Sequence, residues 1–262
     1  MINALTSKAK VAAEILVARR MDGTQGERLP ETCRPLDVPS ALAIQAAVTD
    51  RWCELMDDSI GGWKCGLPSS DKIIIAPIYT RTIDSIAPVA VWPKANCARI
   101  EPEFAFFFGS DLSPREQPYL PQDVDNAIAR THLALELIGS RYATPADCNF
   151  PEMLADGLVN QGLFIGPEID GETARIASEF ALLVTTSTGE HSQHQARHPN
   201  AQPRAPLYWL VEFLRARGEG IIAGQAVITG SFAGVIDVPL HDDVEINYVG
   251  LGSLNVTFAA KT

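Results

Sequence analysis

"IEPEFAFFFGSD", Ile100 to Asp111, places two glutamates at the entrance of a run that carries four phenylalanines. Along a β-strand successive side chains point to opposite faces, so Glu101, Glu103, Ala105 and Phe107 share one face and Pro102, Phe104, Phe106 and Phe108 the other. The spacing aims both carboxylates the same way. On a solvated face they are ordinary polar surface. On a buried face two like charges repel and need a proton or a cation. Carboxylate oxygens are natural ligands of a hard divalent cation such as Mg²⁺ or Mn²⁺, which usually keeps waters and takes substrate oxygens, so a third acid would complete a catalytic site. "LALELIGSRY" offers Glu136, set among Leu133, Leu135 and Leu137. Spacing alone leaves two readings for it: a ligand, or a half-exposed residue facing water.

The rest of the chain limits what such a strand can serve. With 262 residues it can bury a core as one large domain or two small ones. A net charge of −11 and the lack of a basic run argue against nucleic acid or an anionic membrane as partner. Five cysteines, odd in number and without a CxxC pair, together with no secretory signal, favour reduced thiols and a cytoplasmic setting. The stretch "KAKVAAEILVARR" reads as an amphipathic helix, and no segment reaches the roughly 20 apolar residues of a membrane span.

Helical spacing occupies residues 8–20 and 40–55, the second with Ser40 as a candidate cap, joined by an irregular arm, "MDGTQGERLPETCRPLDVP". From Gly61 onward short apolar runs punctuated by Gly and Pro read as strands, interrupted by helices near residues 121–132 and 203–218, the latter ended by Gly218. The pattern predicts an α+β protein: a helical N-terminal part, residues 1–60, packed on a β-rich body, residues 61–262, as one continuous domain.

The combination "IEPEFAFFFGSDL" followed by "LALELIGSRY" resembles the fumarylacetoacetate hydrolase superfamily, whose members carry E-x-E and a later acidic metal ligand. Within it, "GGWKCGLPSS", "LADGLVNQGLFIG" and "PLYWLVEFLRARGEGIIAGQAVITGS" resemble the branch of 2-keto-4-pentenoate hydratases and 4-oxalocrotonate decarboxylases, over roughly Pro39 to Phe258. The resemblance implies a mixed β-roll with peripheral helices around a divalent metal, usually Mg²⁺, held by Glu101, Glu103 and Glu136. It also implies a small 2-oxo or 2-hydroxydienoic acid substrate, chelating through its carboxylate and C2 oxygen, in the catabolism of aromatic compounds. A homo-oligomer, with pairing to a homologous decarboxylase or hydratase allowed, belongs to the same expectation.

Lys64, in "GGWKCGL", matches the lysine of the branch's G-[YW]-K-x-G motif and so takes a catalytic or substrate-binding role; without that context it would snorkel from an edge strand. Asp156, in "LADG", matches a catalytic aspartate, although an Asp-Gly pair is often only a turn. Substrate contacts fall to Leu67, Ser69, Arg141, Asn160, Gly230 and Ser231, with Arg141 expected to order the site or reach an acid because it stays protonated. The chain departs from the branch twice: "GLPSS" replaces G-L-T-S, and "ADGLVN" replaces A-D-N-A-S-S. Both put the substrate in doubt and spare the metal site. "HSQHQARH", with His191, His194 and His198, reads as a solvated loop.

Hydration of a 2-hydroxydienoate to a 4-hydroxy-2-oxo acid stands ahead of decarboxylation of a 2-oxo acid, although the two share one electron sink and the metal ligands do not separate them. Acylpyruvate hydrolysis falls behind, since related hydrolases bring a His-Glu pair from an N-terminal segment and this chain has no histidine before His132. A catalytically silent binding homologue is disfavoured by the presence of all three acids and Lys64.

Overall fold

The computed structural model describes residues 2–261, with side chains from Ser7 onward. Helix α1 (Ile2–Asp22) and helix α2 (Val38–Met56) flank the irregular arm. The strands then run as β1 (Ile60–Gly66), β2 (Ile74–Tyr79), β3 (Ile83–Asp84), β4 (Val89–Val91) and β5 (Cys97–Phe108). Helix α3 (Pro121–Ala127), β6 (Ile128–Ile138), α4 (Phe150–Ala155), β7 (Asn160–Ile169) and α5 (Gly171–Ile176) follow. The chain continues with β8 (Glu179–Thr186), β9 (His191–Arg197), α6 (Ala205–Ala216), β10 (Ala226–Ile228), β11 (Ile236–Pro239), β12 (Asp243–Tyr248) and β13 (Gly252–Ala260).

Three local expectations are corrected. The helix expected over residues 121–132 stops at Ala127, because "IARTHLALELI" from Ile128 alternates in the strand period and pairs with β5. The cap of α2 is Asp37, which accepts from Ser40 N, while the Ser40 hydroxyl accepts from Asp37 N; Ser40 is the far half of the capping box. His191 and His194 lie on edge strand β9 instead of in a loop, and His198 just beyond it is buried.

One sheet has the order β2-β1-β10-β5-β6-β7-β3, with β11 also paired to β5. Its two ends, β2 and β3, are separated in sequence only by the single turn Thr80–Thr82. The edges must therefore meet, and the sheet curls into a roll in which β2 approaches β7. The second sheet, β4-β13-β12-β8-β9, packs outside it.

The curl gives β5 two different faces. Outward, Phe104, Phe106 and Phe108 join the main core, which also takes in Leu16 of α1, Ile44 of α2 and Leu210 of α6; each buried ring contributes roughly 2–3 kcal/mol. Phe104 stacks on Phe180 of the second sheet at 6.0 Å, and the Tyr248 hydroxyl of that sheet donates to Ala134 O at 3.0 Å. Inward, Ala105, Ala134, Ala226, Ile78, Leu163, Ile165 and Ile228 form a separate apolar cluster. Small residues at three of these positions let the roll close tightly around its axis.

The N-terminal arm is riveted to the body. Arg28 donates to Glu152 Oε2 and Arg34 lies 3.4 Å from its Oε1, while the Glu152 side chain is fully buried. Gln45 of α2 donates to Ile75 O at 3.0 Å and Leu154 O at 2.7 Å, tying that helix to β2 and α4.

Candidate metal centre

Glu101 and Glu103 sit on the inner face of β5, as their spacing of two dictates, and Glu136 of β6 lies directly across the ladder from Glu101. One oxygen from each of the three lies within 4.8 Å of the others. Among the described residues this is the one group of acids, histidines and cysteines that converges in this way. Glu103 is 2% exposed and Glu136 fully buried, so the open question about Glu136 closes: both faces of β6 are covered, its leucines by the core and its glutamate by the curl of the roll.

Each acid is held by a neighbour. Gly230 N donates to Glu103 Oε2 at 2.7 Å. Gly230 has φ +131°, and a Cβ there would stand 2.7 Å from Pro199, so glycine is needed for this close approach. Asn160 Nδ2 donates to Glu136 Oε1 at 2.9 Å. The register of β6 on β7 shifts between Leu137 and Ile138, leaving Gln161 as the extra residue and turning Asn160 onto the face of Glu136. The Lys64 ammonium, from β1, lies 2.6 Å from Glu136 Oε1 and 3.2 Å from Leu158 O. Its side chain is 11% exposed, so it does not snorkel to the surface.

The charges do not balance. Burial raises the Glu101 carboxyl to about 7, with Glu136 adding to the shift, and burial with Glu136 pushes Glu103 well above the usual range. Burial pulls the Lys64 ammonium down, but Glu136, Glu101 and Glu103 outweigh it and hold it above the ordinary lysine value. One ammonium thus faces three carboxylates, and Glu136 Oε2 is buried without a hydrogen-bond partner. An all-carboxylate donor set with an unpartnered oxygen suits a hard divalent cation.

The segment "ADGLVN" builds the lysine side of the site by adopting an uncommon backbone. Gly157, Leu158 and Val159 all have positive φ, at 77°, 52° and 61°. Such a conformation costs of order 1–3 kcal/mol for a non-glycine residue. It aims Leu158 O at Lys64 and Val159 O at Gly139 N. The residues at which the chain departs from the small polar ones of the branch therefore lie next to the lysine and the acids.

Arg141, expected to contact substrate and to order the site or reach an acid, reaches Asp156, the residue expected in a catalytic role. Arg141 and Asp156 close on each other: Arg141 Nε donates to Asp156 Oδ1 at 2.6 Å, Nη2 to Asp156 O, and Nη1 to Gly139 O and Asn160 O. Both side chains are buried, and Arg141 N takes up Asp156 Oδ2. Their hydrogen-bonding groups are spent on the turn that carries Asn160, so they support the site from behind.

Of the remaining expected contacts, Gly230 and Asn160 touch the acids. Leu67 N donates weakly to Asn200 Oδ1, while Ser69 and Ser231 are engaged locally, with Asp71 and Gly234 O respectively.

His198 was hidden by its polar surroundings. It is 2% exposed, accepts from Asn200 N at Nδ1, and places Nε2 3.3 Å from Thr229 Oγ1. With Nδ1 accepting, the neutral ring carries its proton on Nε2. Burial drives its pKa down to about 4. The one sequence signal is its position, a His-Pro step that leaves the polar run a few residues ahead of the helix "APLYWLVEFLRA".

No family model matches the chain. It is 23% identical to 2-keto-4-pentenoate hydratase 1 of Dechloromonas aromatica (strain RCB), covering 99% of this chain and 100% of that one. Its fold matches 4-oxalocrotonate decarboxylase from Pseudomonas putida G7, solved with magnesium and adipate, at TM-score 0.77 and 19% identity over 97% of this chain and 98% of that one. A putative fumarylacetoacetate hydrolase family protein from Yersinia pestis CO92 matches at TM-score 0.54 and 20% identity, over 78% and 94% of the two chains. By sequence along its length and by fold, the chain is similar to hydratases and decarboxylases of the kind that its motifs resemble, and these likenesses indicate an enzyme of the lyase class. No helix among the described residues is long and apolar enough to cross a membrane.

Proposed function

We propose that this lyase is a divalent-metal-dependent hydratase that adds water to a 2-hydroxydienoate to give a 4-hydroxy-2-oxo acid. The observation that carries the reading is the set of three convergent carboxylates with an unpartnered Glu136 Oε2, faced by one buried lysine. Glu101, Glu103 and Glu136 would hold Mg²⁺ or Mn²⁺, which supplies Lewis-acid polarisation of the 2-oxo group and anchorage for the substrate carboxylate.

The chain's own residues do the rest. Lys64, whose ammonium lies 2.6 Å from Glu136 Oε1, would serve as a positive charge or proton donor toward the enolate oxygen. Gly230 N and Asn160 Nδ2 keep Glu103 and Glu136 from turning away. The apolar cluster of Ala105, Ala134 and Ile228 beneath the acids limits water at the inner end of the roll. The resemblance further supports a cytoplasmic homo-oligomer in aromatic-compound catabolism.

The test is a product assay with Mg²⁺-loaded protein on 2-hydroxypenta-2,4-dienoate and 2-oxo-enoic acids, following ultraviolet absorbance and CO₂ together. Loss of the dienoate band with a 4-hydroxy-2-oxo product and no CO₂ is expected. Release of CO₂ selects the decarboxylase reading, and rapid pyruvate formation from acetylpyruvate the hydrolase one. In parallel, Lys64→Met should lower kcat by about 10² to 10³ while calorimetry finds Mg²⁺ binding retained. A folded variant with full turnover removes the lysine from the mechanism.

A further inference from the structure

Glu103 is held more sparely than its partner across the ladder. Glu136 is gripped by Asn160 and Lys64, whereas Gly230 N is the one hydrogen-bond donor that reaches the Glu103 carboxylate among the described residues. Glycine has no side chain with which to anchor itself. Where its N–H points is therefore decided by what holds residues 229–232.

That loop follows β10 and lies between two surfaces. On its inner side Gly230 N meets Glu103 Oε2 at 2.7 Å, and Phe232 N donates at 2.9 Å to Pro102 O, between the two glutamates of β5. On its outer side stand the end of β9 and the turn after it. Arg197 N donates to Phe232 O at 2.7 Å, and the His198 ring packs on the Phe232 ring. A Cβ on Gly230 would collide with Pro199 and lie 3.7 Å from His198 Nε2, so the loop rests directly on this turn.

Among the described residues, His198 makes the one side-chain hydrogen bond to the loop from its outer side. Its Nε2 lies 3.3 Å from Thr229 Oγ1, on the residue before Gly230. The other ring nitrogen fixes the sense of that bond. Asn200 N, which can only donate, meets Nδ1 at 3.2 Å, so the ring proton sits on Nε2 and is offered to Thr229. His198 N also donates to Ser178 O at 2.8 Å, which ties the turn to the start of β8. A ring that is 2% exposed and has both nitrogens engaged cannot reorient without leaving buried polar groups unpaired.

We propose that His198 is a positioning residue for the metal centre: through Thr229 it fixes the Gly230 N–H, and through that N–H the Glu103 carboxylate. It makes no hydrogen bond to the acids itself. This inference rests on the metal-dependent reading above and adds what sets one of the ligands in place.

The test separates this role from plain packing with variants that each keep one of the ring's two polar roles. His198→Gln carries an amide N–H where Nε2–H stands and can still donate to Thr229. His198→Asn can accept from Asn200 N but is too short to reach Thr229. Both lose the ring's contact with Phe232, so a purely structural histidine would make them alike. Calorimetric titration with Mg²⁺, at a temperature where each protein is folded, should find His198→Asn weakened roughly tenfold to a hundredfold, the scale for partners that orient metal ligands. His198→Gln should stay close to the parent. Thr229→Val keeps the ring and removes the acceptor, so it should weaken Mg²⁺ binding in the same direction as His198→Asn, and it carries the test alone if that variant does not fold. In turnover assays, saturating Mg²⁺ should return the His198→Asn kcat toward the parent value, because Lys64 is untouched.

A parent that binds Mg²⁺ together with Asn and Gln variants of equal affinity, however destabilised, would overturn the role of His198 and leave the three-glutamate centre standing. Thr229→Val with the parent's Mg²⁺ affinity would do the same. A parent that binds no Mg²⁺ would take down the centre and this inference with it.

Discussion

Two buried ion pairs, each closed at 2.6 Å, lie on either side of Asn160, and they differ in whether their charges and hydrogen bonds add up. Arg141 and Asp156 pair directly, with the Arg20 guanidinium also donating to Asp156 O at 3.3 Å, and the donors of Arg141 are taken up by Asp156 and by three backbone carbonyls. Lys64 and Glu136 look alike in distance but stand among two more carboxylates, and Glu136 keeps an oxygen with no partner. A buried pair repays its desolvation only when geometry and remaining hydrogen bonds are satisfied. The complete pair is therefore a rivet that holds the turn before β7. The incomplete one marks the place where the fold accepts instability in exchange for chemistry.

The sharpest way to break that contrast is to remove the unbalanced acid. Glu136→Gln keeps the shape, deletes one negative charge and relieves like-charge repulsion, so the metal-free protein should be no less stable than the parent. Its affinity for Mg²⁺ should drop by more than about a hundredfold, since changing even a neighbour of a ligand commonly costs 10- to 100-fold, and turnover should vanish. Calorimetry showing an unchanged Mg²⁺ affinity would dissolve the centre.

The balanced pair should respond in the opposite way. Asp156→Asn leaves the Arg141 guanidinium buried without its counter-charge, and a broken buried pair costs about 3–5 kcal/mol of stability. Urea unfolding should find that loss, while the fraction still folded at low temperature binds Mg²⁺ with nearly the parent's affinity. A stable Asp156→Asn protein with kcat reduced a thousandfold would return Asp156 to catalysis and remove the contrast.

How much of this was legible follows from the range of each pattern. The pair Glu101 and Glu103 could be read because strand alternation is local, and the core face of Phe104, Phe106 and Phe108 came with it. The environment of Glu136 could not be read, because its cover comes from β2 and β3 meeting around the roll, a closure that no single strand encodes. Motif position alone puts Arg141 and Asp156 near the substrate. That position identifies the neighbourhood but not which side chains point inward, and a register shift in β7 decides that for Asn160. Sequence alone does not separate Ser40 from Asp37 as the cap of α2, because both residues belong to one capping box. Three histidines in a polar run looked alike, whereas only His198 leaves the edge strand and turns inward.

His198 supplies the smallest and most specific effect, since it sits beside the loop that presents Gly230 to Glu103 but carries no charge in that arrangement. Its folded pKa, about 4, lies below the ordinary histidine value because of burial. As pH falls below roughly 6.5 the unfolded chain takes up a proton that the folded ring refuses, so stability declines from there down to about pH 4 and this contribution then levels off. Phe232 packs on the ring at a centroid distance of 5.1 Å, and Thr229 and Asn200 are its polar partners, so no carboxylate among these contacts offsets the loss. His198→Gln keeps a neutral hydrogen-bonding side chain and should cost about 1 kcal/mol or less at pH 7. The difference in unfolding free energy between parent and variant should then narrow or reverse by up to about 2 kcal/mol at pH 5. Comparing the two proteins cancels the carboxylates that titrate in the same range. Parallel stability curves from pH 7 to pH 5 would mean that the buried histidine protonates without penalty, and that the wall of the centre on the Thr229 side is open to water.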